Sequence, residues 1–226
     1  MDSGLRPSAC PAYVLAGGQS KRFGSDKARV VIDGKLQVQR LAEMLKRHGH
    51  EVTVVASEND LYRDLDLCVI ADHQAGLGPM MGVATALTDR IKGLSRTPSV
   101  QASVSGMPSR DGWILALSVD QFLWKPDWFA ALAGEVQGTV NAVSYCFEAH
   151  GRSSGERTLK TQPLPGLFHV SLLPSFERFI ACGQLALRSV IEESHGVSIP
   201  SDDNPANWSF NDRSSLQRLI QLSQRS

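Results

Sequence analysis

Apolar positions along the first 120 residues switch repeatedly between two periods. Short runs of consecutive apolar or β-branched residues predict buried strands at Ala12 to Leu15, Val52 to Ala56, Leu67 to Ala71 and Trp113 to Val119. Between them the spacing turns helical. Leu36, Val38, Leu41, Met44 and Leu45 predict a helix over Leu36 to His48 that Gly49 stops, and Pro79 opens another over Met80 to Ile91. Val30 to Ile32 runs into Asp33-Gly34, a turn signal. The unbroken apolar run from Trp113 suits the middle of a parallel sheet, where both faces are covered. Strand and helix in alternation predict an α/β fold: a three-layer, doubly wound, mostly parallel sheet of Rossmann-like form.

The second half is less regular. Val140 to Tyr145 and Leu167 to Val170 read as strands. Pro174 to Ala181, Leu185 to Glu193 and Ser214 to Leu222 read as helices. Residues 93–112 are rich in Gly, Ser and Pro and read as a flexible insertion, and 151–162 as an exposed loop. Residues 1–10 read as a flexible N-terminus. The length of 226 residues suits a single domain, with 122–226 as its second half, and no internal repeat is visible.

Composition removes several function classes. Lys plus Arg equals Asp plus Glu at 23 each, and this neutrality argues against nonspecific nucleic-acid binding, which needs a basic surface, although residues 21–29 form a local basic patch. No apolar window is long enough to span a membrane, and MDSGLRPSAC is not a signal peptide. Cys10, Cys68, Cys146 and Cys182 show no metal-ligand spacing, which reads as reduced thiols in a cytoplasmic protein. No GxSxG elbow marks a nucleophilic serine.

Open doubly wound sheets bind ligands beyond the carboxyl ends of their strands. Gly17 and Gly18 follow the first strand, Asp72 the third and Asp120 the fourth. The first of these stretches, LAGGQSKRFGSDK at 15–27, carries the most chemistry. Backbone amides bare of Cβ atoms approach an anion closely, and Lys21, Arg22 and Lys27 add positive charge beside them. A polyphosphate site and a polar surface loop are both compatible with this pattern, which is neither a Walker loop nor a dinucleotide fingerprint. Asp120 admits two readings, a Mg²⁺ ligand or a helix cap. His169 could serve as a base, but a lone histidine on a strand is more often structural.

LAGGQSKRFGSDK closely resembles the LAGGxSxRMGxDK signature of molybdenum cofactor guanylyltransferases, with Phe23 in place of Met. GLGPMMGV at 76–83 resembles the GPLAG segment of that family, and LSVDQF resembles its strand ending in a Mg²⁺-binding Asp, with Phe122 where Pro is usual. The resemblance implies a nucleotidyltransferase that joins GMP from GTP to molybdenum-molybdopterin and releases pyrophosphate. It implies nucleotide binding by Leu15, Ala16, Gly17, Gly18, Lys27, Asp72, Pro79, Gly82 and Asp120. It implies catalytic roles for Arg22, Lys27 and Asp120, with Mg²⁺ on Asp120. QPLPGLFHV at 162–170 and LRSVIEE at 187–193 lie where the pterin acceptor is expected, which implies Gln162, Arg188 and Asn211 on the acceptor side. SFNDRSSL departs from the family's NxNTPEDL: Asn211 survives, Ser209 replaces the first Asn, and Asp212-Arg213 replace Thr-Pro. Molybdenum insertion and molybdoenzyme delivery proteins are the partners this reading implies. The same motifs leave open a cytidylyltransferase, a sugar-phosphate nucleotidyltransferase, or a GTP-binding module without catalysis.

Overall fold

The computed structural model describes residues 5–17, 23–96, 108–150, 157–201, 203 and 205–224. Seven strands form one mixed sheet: β1 (Ala12–Leu15), β4 (Val52–Ala56), β5 (Val69–Ala71), β6 (Trp113–Ser118), β7 (Ala142–His150), β8 (Arg157–His169) and β9 (Gly196–Pro200). Their order is β5-β4-β1-β6-β8-β7-β9. The pairs β4-β5, β1-β4, β1-β6 and β7-β9 are parallel, whereas β8 runs antiparallel to both its neighbours. The fold is therefore the three-layer, mostly parallel α/β arrangement that the alternation predicted.

Side chains alternate across the strands, and each set meets helices on its own face. Val14, Leu115, Leu117, Val52 and Val54 point to a core shared with α1 (Gln37–Arg47) and α3 (Pro126–Gly134). Tyr13, Leu15, Val55, Ile114 and Ala116 point the other way, to α2 (Pro79–Ser95), α4 (Leu173–Ala181) and α5 (Leu187–Glu193). A smaller cluster of Phe23, Ile32, Phe122, Phe210, Leu216 and Leu219 attaches α6 (Arg213–Ser223) beyond the end of β6. A hairpin of β2 (Val31–Ile32) and β3 (Lys35–Leu36) leads into α1. Its Asp33 and Gly34 have φ of 50° and 78°, both left-handed, as a tight two-residue hairpin turn requires.

Several expectations are corrected. Residues 157–162 are not loop: they begin the 13-residue β8, with Tyr145 opposite Gln162 and Phe147 opposite Lys160. Leu159 and Lys160 are exposed on this ribbon, so polarity misled the reading of that stretch; 151–156 lie outside the described residues. The Trp113 strand is buried on both faces, but only β1 pairs with it in parallel. Within the segment read as an insertion, 93–95 continue α2 and 110–112 form a single 3-10 turn, while 97–107 lie outside the described residues. Residues 5–10 are packed rather than free, with Leu5 and Cys10 buried and a 3-10 turn at Pro7–Ala9. Both α3 and β9 escaped the sequence reading. Among the described residues no helix is long and apolar enough to cross a membrane.

Phe122, a departure from the family pattern, is a core residue: its ring is fully buried and the Arg40 guanidinium lies over it, 4.4 Å from its centroid. Removing so large a buried ring leaves a cavity, so Phe122→Ala is expected to cost about 3–5 kcal/mol of unfolding free energy, read from the shift of a urea or guanidinium midpoint.

Candidate active site

The site lies at the carboxyl ends of β1, β4, β5 and β6, where an open α/β sheet presents its ligands. β1 and β6 stay joined one residue past the strand, since the Val119 N–H donates to the Leu15 carbonyl at 3.0 Å. Asp120 then leaves the sheet. Its own carbonyl accepts from the Phe210 N–H at 3.0 Å, and the Phe122 N–H donates to the Trp208 carbonyl at 2.6 Å. A short antiparallel crossing of 120–122 against 208–210 thus brings Asn211 beside Asp120.

Lys27 reaches the same point from the other side. It opens a 3-10 turn (Lys27–Arg29) whose cap is Asp26, with the Asp26 carboxylate accepting from the Ala28 N–H at 2.9 Å. The other Asp26 oxygen accepts from the hydroxyl of buried Tyr62 at 2.9 Å. Arg29 makes a two-pronged contact with Asp64 at 2.8 and 3.0 Å. So anchored on both sides, Lys27 places its ammonium 3.3 Å from the Asp120 carboxylate and 3.1 Å from the Asn211 side-chain oxygen, with the Phe210 ring 5.9 Å away. Both members of the ion pair are mostly shielded, at 13% and 20% side-chain exposure, so water screens their field weakly.

Asp72 follows β5, the strand at the edge of the sheet beyond β4. Its N–H donates to the Ala56 carbonyl at 2.6 Å, and one carboxylate oxygen accepts from the buried Thr85 hydroxyl at 2.8 Å. Burial raises its pKa, and the Thr85 hydrogen bond opposes that rise. The other Asp72 oxygen lies beside Gly17, 3.7 Å from where a Cβ there would stand. The Leu15 side chain crowds Gly82, at 3.1 Å from a Cβ in that position, so Gly82 is where α2 approaches β1. Pro79 begins α2, immediately after Gly78 with its left-handed φ of 68°.

Two cavities divide this region. The smaller, about 150 Å³, is lined by Leu15, Gly17, Asp72, Pro79 and Gly82, among others. The larger, about 550 Å³, is lined by Asp120, Gln162, Arg188, Ser209 and Asn211, among others. They share Pro79, Ser118 and Leu164 as a common wall. Many of the sequence-predicted residues thus line one of two adjoining chambers, with Asp120 and Asn211 in the larger one and Lys27 bonded to both of them. Gln162 uses its amide at home, donating to the Leu164 carbonyl at 2.9 Å. Ala16 is buried, and its N–H donates to the Val55 carbonyl at 2.8 Å. Gly18 and Arg22, both named from the sequence, lie outside the described residues.

Among the described residues no group of three or more His, Cys, Asp or Glu side chains converges. A lone carboxylate facing an open cavity does not suit zinc, which takes several protein nitrogens or thiolates. It fits Mg²⁺, which uses one or two carboxylates and fills its other positions with water and substrate phosphate.

Sequence reasoning missed Thr85, Ser118, Leu164, Gln37 and Arg40. Gln37 had a visible signal: it stands four and eight residues before Leu41 and Leu45, on the apolar stripe of α1, and is fully buried there.

The mostly parallel sheet, with a lysine, a carboxylate and paired cavities at its carboxyl edge, defines an α/β nucleotidyltransferase. The chain belongs to the family of MobA-like NTP transferase domains, which it matches over residues 12–197. It is 26% identical over 212 residues to a protein of Opitutus terrae named a probable molybdenum cofactor guanylyltransferase, covering 89% of this chain and 91% of that one. A protein of the same name from Aquifex aeolicus is 24% identical over 212 residues, with 93% and 90% covered. Among solved structures, molybdopterin-guanine dinucleotide biosynthesis protein A of Archaeoglobus fulgidus shares the fold with a TM-score of 0.70 at 19% identity, over 96% of this chain and all of that one.

His169 takes no part in either cavity. It is buried, with Nδ1 2.9 Å from the Ser171 hydroxyl and Nε2 3.1 Å from the Ser109 carbonyl, and burial pushes its pKa down to about 4. The folded protein holds it neutral, whereas the unfolded chain takes up a proton below about pH 6.5. Unfolding free energy is therefore expected to fall as pH drops from about 6.5 to about 4, by up to about 3 kcal/mol from this residue. Buried His50, also shifted down, adds to that slope. Denaturant titrations across this range should show a flatter profile for His169→Gln than for the wild type.

Proposed function

We propose that the protein transfers GMP from GTP to molybdenum-molybdopterin, forming the guanine dinucleotide form of the cofactor and releasing pyrophosphate. The observation that carries this reading is the meeting of Lys27, Asp120 and Asn211 beside two cavities with a common wall. The names of the Opitutus and Aquifex relatives support the choice of substrates.

In this reading the smaller cavity takes the nucleoside side of GTP, near Asp72, Pro79 and Gly82, and the larger takes the pterin, near Gln162, Arg188 and Asn211. The reacting phosphates then lie between them. An oxygen of the acceptor phosphate forms a bond to the α-phosphorus while the bond from that phosphorus to the bridging oxygen of pyrophosphate breaks. The acceptor is already an anion and needs little help from a base. The obstacle is repulsion between two polyanions, so orientation and fixed positive charge are what the protein must supply.

Lys27, Arg22 and the amides of Gly17 and Gly18 would bear on the triphosphate. Asp120 would hold Mg²⁺, which when bound stabilises charge on phosphate oxygens. In the structure Lys27 and Asp120 neutralise each other. With nucleotide bound, Lys27 would turn its charge to phosphate and Asp120 to the cation, so neither would be left as a bare buried charge.

The decisive experiment is calorimetric titration of GTP, CTP and ATP with Mg²⁺, followed by a pyrophosphate-release assay with the loaded pterin. GTP alone should bind tightly. Preference for CTP would make the protein a cytidylyltransferase, and GTP binding without pyrophosphate release would make it a binding module. Lys27→Ala and Asp120→Asn should each lower kcat/KM by roughly a hundredfold or more, on the order of 3 kcal/mol in the transition state. Their circular dichroism spectra should stay those of the wild type.

A further inference from the structure

The backbone around Asp120 is held from every direction. Phe210 and Trp208 serve the Asp120 carbonyl and the Phe122 N–H, and the Val119 N–H is bonded to Leu15. The carbonyls on either side of Asp120, those of Val119 and Gln121, remain, and one side-chain amide takes both. Gln37 Nε2 donates to the Val119 carbonyl at 3.1 Å and to the Gln121 carbonyl at 2.7 Å. One turn along the same helix, Arg40 donates to the Phe122 carbonyl and lies 3.4 Å from the Gln37 side-chain oxygen. Burying a glutamine amide costs free energy unless its groups are bonded, and a leucine would fill an apolar stripe position without that cost. Gln37 is fully buried, and its donated bonds fall on the Val119–Asp120 peptide and on the Gln121–Phe122 peptide, while the peptide between them is held by the Phe210 N–H on the Asp120 carbonyl. With those peptides pinned, only the side-chain torsions of Asp120 are left to place its oxygens.

We propose that Gln37, backed by Arg40, is a positioning residue for Asp120. By holding the carbonyls of Val119 and Gln121 it keeps the carboxylate aimed where a divalent cation carrying a triphosphate would sit. The proposal rests on the reading of Asp120 as the metal-holding residue. Groups that orient a metal-binding side chain commonly change metal affinity by tenfold or more when removed.

The test is the affinity of the best-bound nucleoside triphosphate, measured by calorimetry in Mg²⁺ and again in EDTA, for the wild type, Gln37→Met and Asp120→Asn. The ratio of the two affinities isolates the contribution of the metal. Gln37→Met is expected to shrink that ratio about tenfold while leaving the affinity in EDTA within about twofold. A merely structural role would lower the melting temperature and weaken both affinities alike, leaving the ratio intact, and that result overturns the proposal. Asp120→Asn separates the two claims. If it leaves the ratio unchanged, Asp120 does not hold the metal and the underlying reading fails. If it abolishes the ratio while Gln37→Met preserves it, the positioning role alone fails. Should Gln37→Met not fold, Arg40→Met is read in its place. It is expected to lower the ratio by roughly threefold, a milder loss than removing the direct contact, and no change overturns the proposal.

Discussion

A chain that leaves the end of a buried strand must find partners for every peptide group that the sheet no longer serves. At the end of β6 this requirement is met by three separate parts of the chain: β1 through Leu15, the first turn of α1 through Gln37 and Arg40, and the crossing at 208–210. Everything else in the site depends on that solution. Asp120 is the residue whose backbone these contacts enclose, and Lys27 and Asn211 are the side chains they leave next to it. Because buried polar groups left unpaired cost more than most side-chain contacts return, the turn has little freedom to drift.

The two cavities follow from the mixed character of the sheet. Strands β5, β4, β1 and β6 run parallel and end together, which gathers Gly17, Asp72 and Asp120 on one edge. Strand β8 arrives antiparallel beside β6 and supplies Leu164 to the common wall and Gln162 to the larger cavity. A sheet parallel throughout would place a strand end at that position, whereas the antiparallel β8 enters the sheet from that edge. The reversal is what places two cavities along one edge.

Much of this was legible in the residues. The strands of the parallel half and the helices after β3 and at Pro79 show their periods plainly, and strand-end geometry singles out Asp72 and Asp120. The resemblance adds Gln162, Arg188 and Asn211, which line the larger cavity. Other parts were hidden for physical reasons. A two-stranded ribbon with solvent at its side needs no apolar alternation, so the first part of β8 looked like loop. Strand β9 is only partly buried along its length, and its pattern is correspondingly faint. Phe122 and Ser209 read as departures from a motif, yet they sit within the crossing that holds Asp120 and in the cavity wall beside it. Backbone carbonyls leave no mark in a sequence, so the task of Gln37 could not be read there, although its place on an apolar stripe was a clue.

The crossing at 208–210 also orders events during synthesis. Phe210 and Trp208 hold the Asp120 turn, and Asn211 completes the surroundings of Lys27, so a nascent chain released only as far as β9 has Lys27 and Asp120 but not these contacts around them. A ribosome must deliver Asn211 before Lys27 gains its second oxygen partner. Partly made chains thus lack the finished surroundings of Lys27 and Asp120.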